Sequence, residues 1–186
     1  FYSEYSGITF SSQPRCITSG DPMPNTRWFE GATLNYAQAL LYPSGVKDTD
    51  TAVVSVVETG VESATTFAEL RRLVAQAQVA LRREGVGKGD RVAAFATNTT
   101  ETLVLFLASA SLGVVFSSCS PDFGAEAALA RFGQIKPKLL FVSEGYYYGG
   151  RFFDTSQQCA ALGASLGITS VISLPYLNDR WKPSPG

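Results

Sequence analysis

Two stretches of this chain carry side chains that could do chemistry. Val114 to Gly124, VVFSSCSPDFG, closes an apolar run with Ser117, Ser118, Cys119 and Ser120 and then turns at Pro121-Asp122. Tyr146 to Phe153, YYYGGRFF, sets three tyrosines before Gly149-Gly150 and Arg151 after it. Cys119 suggests a nucleophile, but a reactive thiol needs a histidine, a nearby cation or a helix N-terminus to lower its pKa. The chain has no histidine, and Asp122 follows closely with a carboxylate that opposes a thiolate. Cys119 therefore reads as a partly buried small residue where a strand turns. The serines are the useful part: a flat group can approach the backbone closely beside them while their hydroxyls offer hydrogen bonds. In the second stretch the glycines let the backbone turn sharply, Arg151 supplies a planar cation suited to phosphate, and Tyr146, Tyr147 and Tyr148 supply aromatic faces and hydroxyls. The plainer account packs the tyrosines on the domain edge and places Arg151 in a surface ion pair. Two adjacent strand ends, one a small-residue shelf and one an Arg-Gly loop, favour a nucleotide or phosphate site.

Composition narrows the rest. Without histidine there is no Ser-His or Cys-His dyad and no ordinary zinc site. Fifteen Lys and Arg oppose sixteen Asp and Glu, which leaves no reservoir of positive charge for nucleic acid or an anionic membrane. Hydrophobic residues at 45% against 17% charged describe a globular chain. Cys16, Cys119 and Cys159 are odd in number, widely spaced and never in a CxxC pair, so they read as reduced thiols of a cytoplasmic protein. The apolar run from Leu103 to Phe116 is broken by Ser109 and Ser111 and is too short to span a bilayer. No paired carboxylates, metal-spaced ligands, P-loop or GxSxG elbow occur, so no catalytic or metal-ligating residue is assigned. A first residue of Phe1 rather than Met reads as a fragment.

The elements that must position these stretches follow from periodicity and punctuation. A short helix is predicted from near Asn35 to before Pro43, with Trp28 and Phe29 ahead of it as an aromatic anchor. AVVSVVETGVESATTF predicts a hairpin around Glu58-Thr59-Gly60. Thr66 and Glu69 form a capping box, and Phe67, Leu70, Val74, Ala77 and Leu81 recur at helical spacing until Gly85. The glycines of EGVGKGD follow a helix rather than a strand, which makes them a C-cap and turn rather than a phosphate loop. Asp90-Arg91 offers a local ion pair at the next strand start. Strands are then predicted at Arg91 to Ala96, Val114 to Ser118, KLLFVS and TSVISL. Helices are predicted at Thr100 to Leu112, capped by Asn98 or Thr99, at Gly124 to Ile135, and at Thr155 to Leu166. EGYYYGGRFFD is a loop on this reading, and capping accounts for the sequon at Asn98. The alternation predicts an α/β fold, a mostly parallel sheet with flanking helices. Residues 1–50 form an amino-terminal layer, 51–174 an α/β subdomain, and 175–186 a linker or truncated edge. Ligands in such sheets sit beyond the carboxyl ends of the strands, which singles out TNTTE, SSCSPDFG and EGYYYGGR.

The order of segments resembles a known family. TFAELRRLVAQAQVALRREGVGKGDRVAAFATNTTETLVLFLASASLGVVFSSCSPDFG is similar to the amino-terminal portion of the adenylate-forming acyl- and aryl-CoA synthetases. Within that superfamily, RWFEGATLNYAQALL, SSCSPDFG, RFGQIKPKLLF and GYYYGGRFFD resemble the acetoacetyl-CoA synthetase branch. The resemblance implies an ATP-dependent acid-thiol ligase that uses ATP, CoA and Mg with a small-molecule carboxylate, and whose remaining partner is the rest of the same ligase chain. It implies that Phe116, Ser117 and Ser118 line the adenine side of CoA, as in acetyl-CoA synthetases, and that Arg151 meets the 3′-phosphate. A second arginine of those relatives falls near Tyr148 here, a departure from the family pattern. The family's Thr/Ser/Gly-rich phosphate loop, its acidic Mg and ribose ligands and its mobile lysine have no counterpart in this sequence, so the chain alone is expected to be inactive. The alternative is a truncated, non-catalytic module that binds CoA or a protein partner.

Overall fold

A computed structural model describes residues 2–57 and 60–174. The chain divides into two compact units, Phe1–Lys47 and Asp48–Gly186. The first holds α1 (Tyr2–Tyr5), β1 (Cys16–Ser19), β2 (Arg27–Glu30) and α2 (Tyr36–Leu41), with β1 and β2 antiparallel. α2 begins where the sequence predicts, near Asn35, and Asn35 is its N-cap, with Oδ1 accepting the Gln38 N–H at 3.2 Å. The aromatic anchor is not buried: Trp28 is 59% exposed and Phe29 38% exposed. A two-stranded ribbon has no interior of its own, and the Phe29 ring stacks on Phe10 with ring centroids 6.1 Å apart.

The second unit opens with the predicted hairpin, β3 (Thr51–Val57) against β4 (Gly60–Thr66), while its turn residues 58 and 59 lie outside the described residues. Then follow α3 (Phe67–Arg83), β5 (Arg91–Phe95), α4 (Thr100–Ser111), β6 (Val115–Cys119), a 3₁₀ turn at Pro121–Phe123, and α5 (Gly124–Ile135). The series closes with β7 (Leu139–Val142), β8 (Gly145–Tyr148), β9 (Arg151–Asp154), α6 (Ser156–Leu166) and β10 (Val171–Ser173). The segment read as a linker, 175–186, lies outside the described residues.

Local chemistry sets these boundaries. Thr66 Oγ1 accepts the Glu69 N–H at 3.2 Å and starts α3, while the Glu69 carboxylate turns to Arg72 at 3.7 Å. α3 stops in a Schellman motif: Val86 N–H reaches Leu81 O at 2.9 Å and Gly85 N–H reaches Arg82 O at 3.0 Å. Gly85 has φ +70, so EGVGKGD is a C-cap and turn. α4 begins at Thr99, the second of the two candidate caps, which accepts the Thr102 N–H at 3.4 Å. The expected Asp90-Arg91 ion pair is replaced by two separate tethers. The Asp90 carboxylate takes the Gly87 N–H at 2.9 Å and the Lys138 ammonium at 3.2 Å, and these contacts hold it below its usual carboxylate range. Arg91 turns the other way and donates to Ile135 O at 2.8 Å, where the C-terminal carbonyls of α5 need donors.

The main sheet is parallel, in the order β10-β7-β5-β6. One face packs Ala93, Phe95, Leu140 and Val142 against Ala128 and Phe132 of α5 and Cys159 and Leu162 of α6. On the other, Leu139 and Phe141 share an apolar groove of about 240 Å³ with Leu81 of α3 and Val104 and Leu105 of α4. EGYYYGGRFFD is not a loop: β8 and β9 form an antiparallel hairpin that pairs Tyr148 with Arg151.

Candidate functional site

The hairpin owes its shape to its glycines. Gly149 and Gly150 have φ +58 and +71, the left-handed pair of a two-residue type I′ turn, and this turn matches the twist of the flanking strands. Tyr146 stacks on Phe153 with centroids 5.2 Å apart and planes 14° apart, and Tyr147 meets Phe152 at 5.2 Å. Two of the three tyrosines are thus committed to cross-strand pairs. The Phe152 ring lies over Gly145, where a Cβ would come within 2.3 Å of it. The third tyrosine, Tyr148, is 71% exposed at the tip beside exposed Arg151. Among the described residues no hydrogen bond or ion pair engages the Arg151 guanidinium, so the surface ion pair of the plainer account does not form there. A planar cation and a phenol at the tip of a short ribbon can meet a phosphate and an aromatic ring.

Phe116, Ser117 and Ser118 lie elsewhere than on a shelf after a strand. β6 runs on to Cys119, and Ser117 and Ser118 pair in register with Ala93 and Ala94 of β5. Strand side chains alternate between faces. Phe116 packs on Phe106 of α4 with centroids 5.5 Å apart, whereas Ser117 shares the face of Ala93 and Leu140. Ser118 is exposed on the Phe116 face.

Cys119 is buried among Ala128, Phe132 and Cys159. Burial raises its thiol pKa despite the opposing pull of Arg131, so the thiolate a nucleophile needs is disfavoured.

The two sets of candidates are not on adjacent strands, because β5 lies between β6 and β7. At about 4.8 Å per strand, roughly 10 Å separates the strand that carries the serines from the one that leads to the hairpin. The chain crosses from one side of β5 to the other between β6 and β7, the reversal at which open α/β sheets place ligands.

Sequence reasoning missed the polar residues at this crossing. Ser143, directly after β7, is 1% exposed, and its hydroxyl lies 3.2 Å from Thr97 N and 3.3 Å from Thr97 Oγ1. Thr155, at the return of the hairpin, is 3% exposed and donates to Ser143 O at 2.8 Å. The available signal was a serine ending the apolar run LLFV, where a buried strand end needs a partner for its hydroxyl. Among the described residues no helix is long and apolar enough to cross a membrane, and no group of three or more acidic, cysteine or histidine side chains could hold a metal ion.

Comparison with known proteins adds the following. A family described as AMP-binding enzyme matches residues 45–183. Acetoacetyl-coenzyme A synthetase of Rhizobium meliloti (strain 1021) is 44% identical over 182 residues, covering 98% of this chain and 27% of its own length. Acetoacetyl-CoA synthetase of Mus musculus is 36% identical over 184 residues, covering 96% and 27%. Malonamoyl-CoA synthetase of Penicillium aethiopicum is 39% identical over 153 residues, covering 80% and 21%. The solved acetoacetyl-CoA synthetase from Streptomyces lividans superposes with a TM-score of 0.88 at 38% identity, over 97% of this chain and 28% of that one. The chain spans about a quarter of the length of the curated relatives it matches.

Proposed function

Because the chain belongs to the AMP-binding enzyme family and has the fold of the amino-terminal portion of an adenylate-forming ligase, we propose that it is part of an ATP-dependent acid-thiol ligase for acetoacetate or a similar short carboxylate. The observation that carries this is the 44% identity to an acetoacetyl-coenzyme A synthetase over 98% of the chain, which leaves little of the sequence unaccounted for. The acyl groups named by the relatives, acetoacetyl and malonamoyl, both carry a second carbonyl beyond the one that becomes the thioester. That shared feature supports a short 3-oxo or 3-amido acid as the substrate class.

The reaction runs in two steps. The carboxylate attacks the α-phosphorus of ATP to give an acyl-adenylate and pyrophosphate, and the CoA thiol then attacks the acyl carbon and displaces AMP. Both steps depend on alignment and on neutralising phosphate charge, so a chain without histidine can contribute. The residues of this chain bind and orient. Arg151 meets the 3′-phosphate of CoA, Tyr148 stands beside it, and Phe116 and Ser118, which share one face of β6, flank the adenine, while Ser117 faces the other side of the sheet and supports the strand. The thiol that reacts belongs to CoA, consistent with a buried Cys119 whose pKa is raised. Mg would supply charge neutralisation at the phosphates in the complete ligase, and among the described residues no group of three or more acidic, cysteine or histidine side chains could hold it. A ligase of this kind works in lipid metabolism in the cytoplasm, in keeping with three free cysteines.

The test is Arg151→Ala in the complete protein. Binding of CoA weakens by about 1–3 kcal/mol for the lost charge-assisted contact, while dephospho-CoA is unaffected. Equal weakening of both ligands in calorimetry would refute the 3′-phosphate assignment.

A further inference from the structure

We propose that Ser143 and Thr155 are positioning residues that fix the Arg151 hairpin against the sheet, an inference that rests on the nucleotide-binding reading above. The hairpin leaves the sheet after Ser143 and returns at Thr155, and both ends are pinned to one residue. The Ser143 amide donates to Phe95 O of β5 at 2.9 Å. Its hydroxyl engages Thr97 N and Oγ1 in the β5-α4 loop. Its carbonyl accepts from Thr155 Oγ1 at 2.8 Å and from Cys159 Sγ at 3.5 Å, and the Thr155 amide donates to Glu144 O at 2.9 Å. Thr102 Oγ1 donates to Thr97 O at 2.8 Å and extends the chain of contacts to the first turn of α4.

This root is what gives the hairpin a direction. A two-stranded ribbon is marginal by itself, and every residue of β9 is exposed, so packing does little to orient Arg151. The root, in contrast, is buried, and a fully satisfied buried polar network selects one arrangement where an apolar one tolerates several. It joins the hairpin to the loop after β5, two of the segments that border the crossing where a ligand sits. A guanidinium displaced by about 1 Å from its productive position keeps its charge but loses its directed contact with the phosphate.

The experiment measures CoA and dephospho-CoA binding by titration calorimetry on the complete protein and its Thr155→Val, Thr155→Ser, Ser143→Ala and Arg151→Ala variants. Valine removes the hydroxyl at nearly constant shape. Thr155→Val is expected to lose about tenfold in CoA affinity with dephospho-CoA unchanged, and Thr155→Ser to keep the parent ratio of the two ligands. A purely structural role would lower the melting temperature and leave that ratio at its parent value, which overturns the proposal. If Thr155→Val does not fold, Ser143→Ala is read by the same ratio. An Arg151→Ala variant that loses the ratio while Thr155→Val keeps it removes the positioning role alone. One that keeps the ratio removes the phosphate assignment and the positioning role with it.

Discussion

Replacing both Gly149 and Gly150 with alanine should open the hairpin and leave the rest of the second unit intact. No atom lies within 4 Å of a Cβ built at either position, so the cost is confined to the backbone. With φ at +58 and +71, each alanine must occupy the left-handed region, at about 1–2 kcal/mol apiece and therefore about 2–4 kcal/mol for the pair. Against this stand the two cross-strand aromatic pairs, each contributing about 0.5–1.5 kcal/mol beyond its buried area. Two such pairs supply about 1–3 kcal/mol, the same size as the penalty of about 2–4 kcal/mol, so the strained turn is enough to open the hairpin. At 1.36 kcal/mol per factor of ten, amide exchange across residues 145–154 accelerates by about 30-fold to about 900-fold. The assay is hydrogen-deuterium exchange by mass spectrometry, with peptides from β7 in the same digest as the internal reference. Gly149→Asn is the control, because asparagine tolerates the left-handed region and should exchange at nearly the parent rate. Parent-rate exchange in the double alanine variant would refute the reasoning, since it would mean that the turn does not depend on its positive φ angles.

Three further outcomes test the burial described above. Phe132→Ala removes a fully buried ring between the sheet and α6 and should cost about 3–5 kcal/mol in urea unfolding, and a loss below about 2 would contradict the packing described. Cys16 is exposed and should react first with iodoacetamide at pH 8, ahead of buried Cys119 and Cys159, and early labelling of Cys159 would contradict its burial. Burial pushes the Cys159 thiol from 9.0 up to about 11, so the fold holds the proton longer than the unfolded chain. Its contribution is constant below pH 9 and is lost as pH rises from 9 towards 11, because the unfolded thiol ionises first. The stability difference between parent and Cys159→Ala, followed across that interval, should show the decline, and a flat difference would refute it.

What was legible in the sequence was what short-range chemistry decides. α5 starts at Gly124 and ends at Ile135 as the pattern demands, because a Pro-Asp turn precedes it and Lys136-Pro137 cannot continue it. Thr66 and Gly85 bracket α3 for equally local reasons. The β8-β9 hairpin was harder to read because GYYY and RFFD show no alternation of polar and apolar residues. Aromatics on both faces of an exposed ribbon mimic a loop in composition, and only the Gly-Gly pair betrays the turn. Strand order was not legible at all. β5 and β7 are short runs covered on both faces, and nothing in RVAAF or LLFV distinguishes a central strand from its neighbour. The role of Ser143 is likewise a property of the assembled sheet: its partners Thr97 and Thr155 lie 46 residues before it and 12 after.

The central position of β5 changes what the site can be. Had β6 and β7 been neighbours, the serine strand and the strand that leads to Arg151 would have been a single strand gap apart. With β5 between them, a nucleotide that touches both the edge strand and the hairpin has to pass over the end of β5, where Thr97 carries the Ser143 contact and Thr99 caps α4. The proposed ligand therefore needs length as well as charge. On the proposed reading the 3′-phosphoadenosine end of coenzyme A would offer both, an adenine for the apolar side at Phe116 and a 3′-phosphate for Arg151. A free phosphate has only the charge and would gain nothing from β6. The order of the strands, rather than any single side chain, is thus the feature that favours an extended nucleotide over a simple anion at these residues.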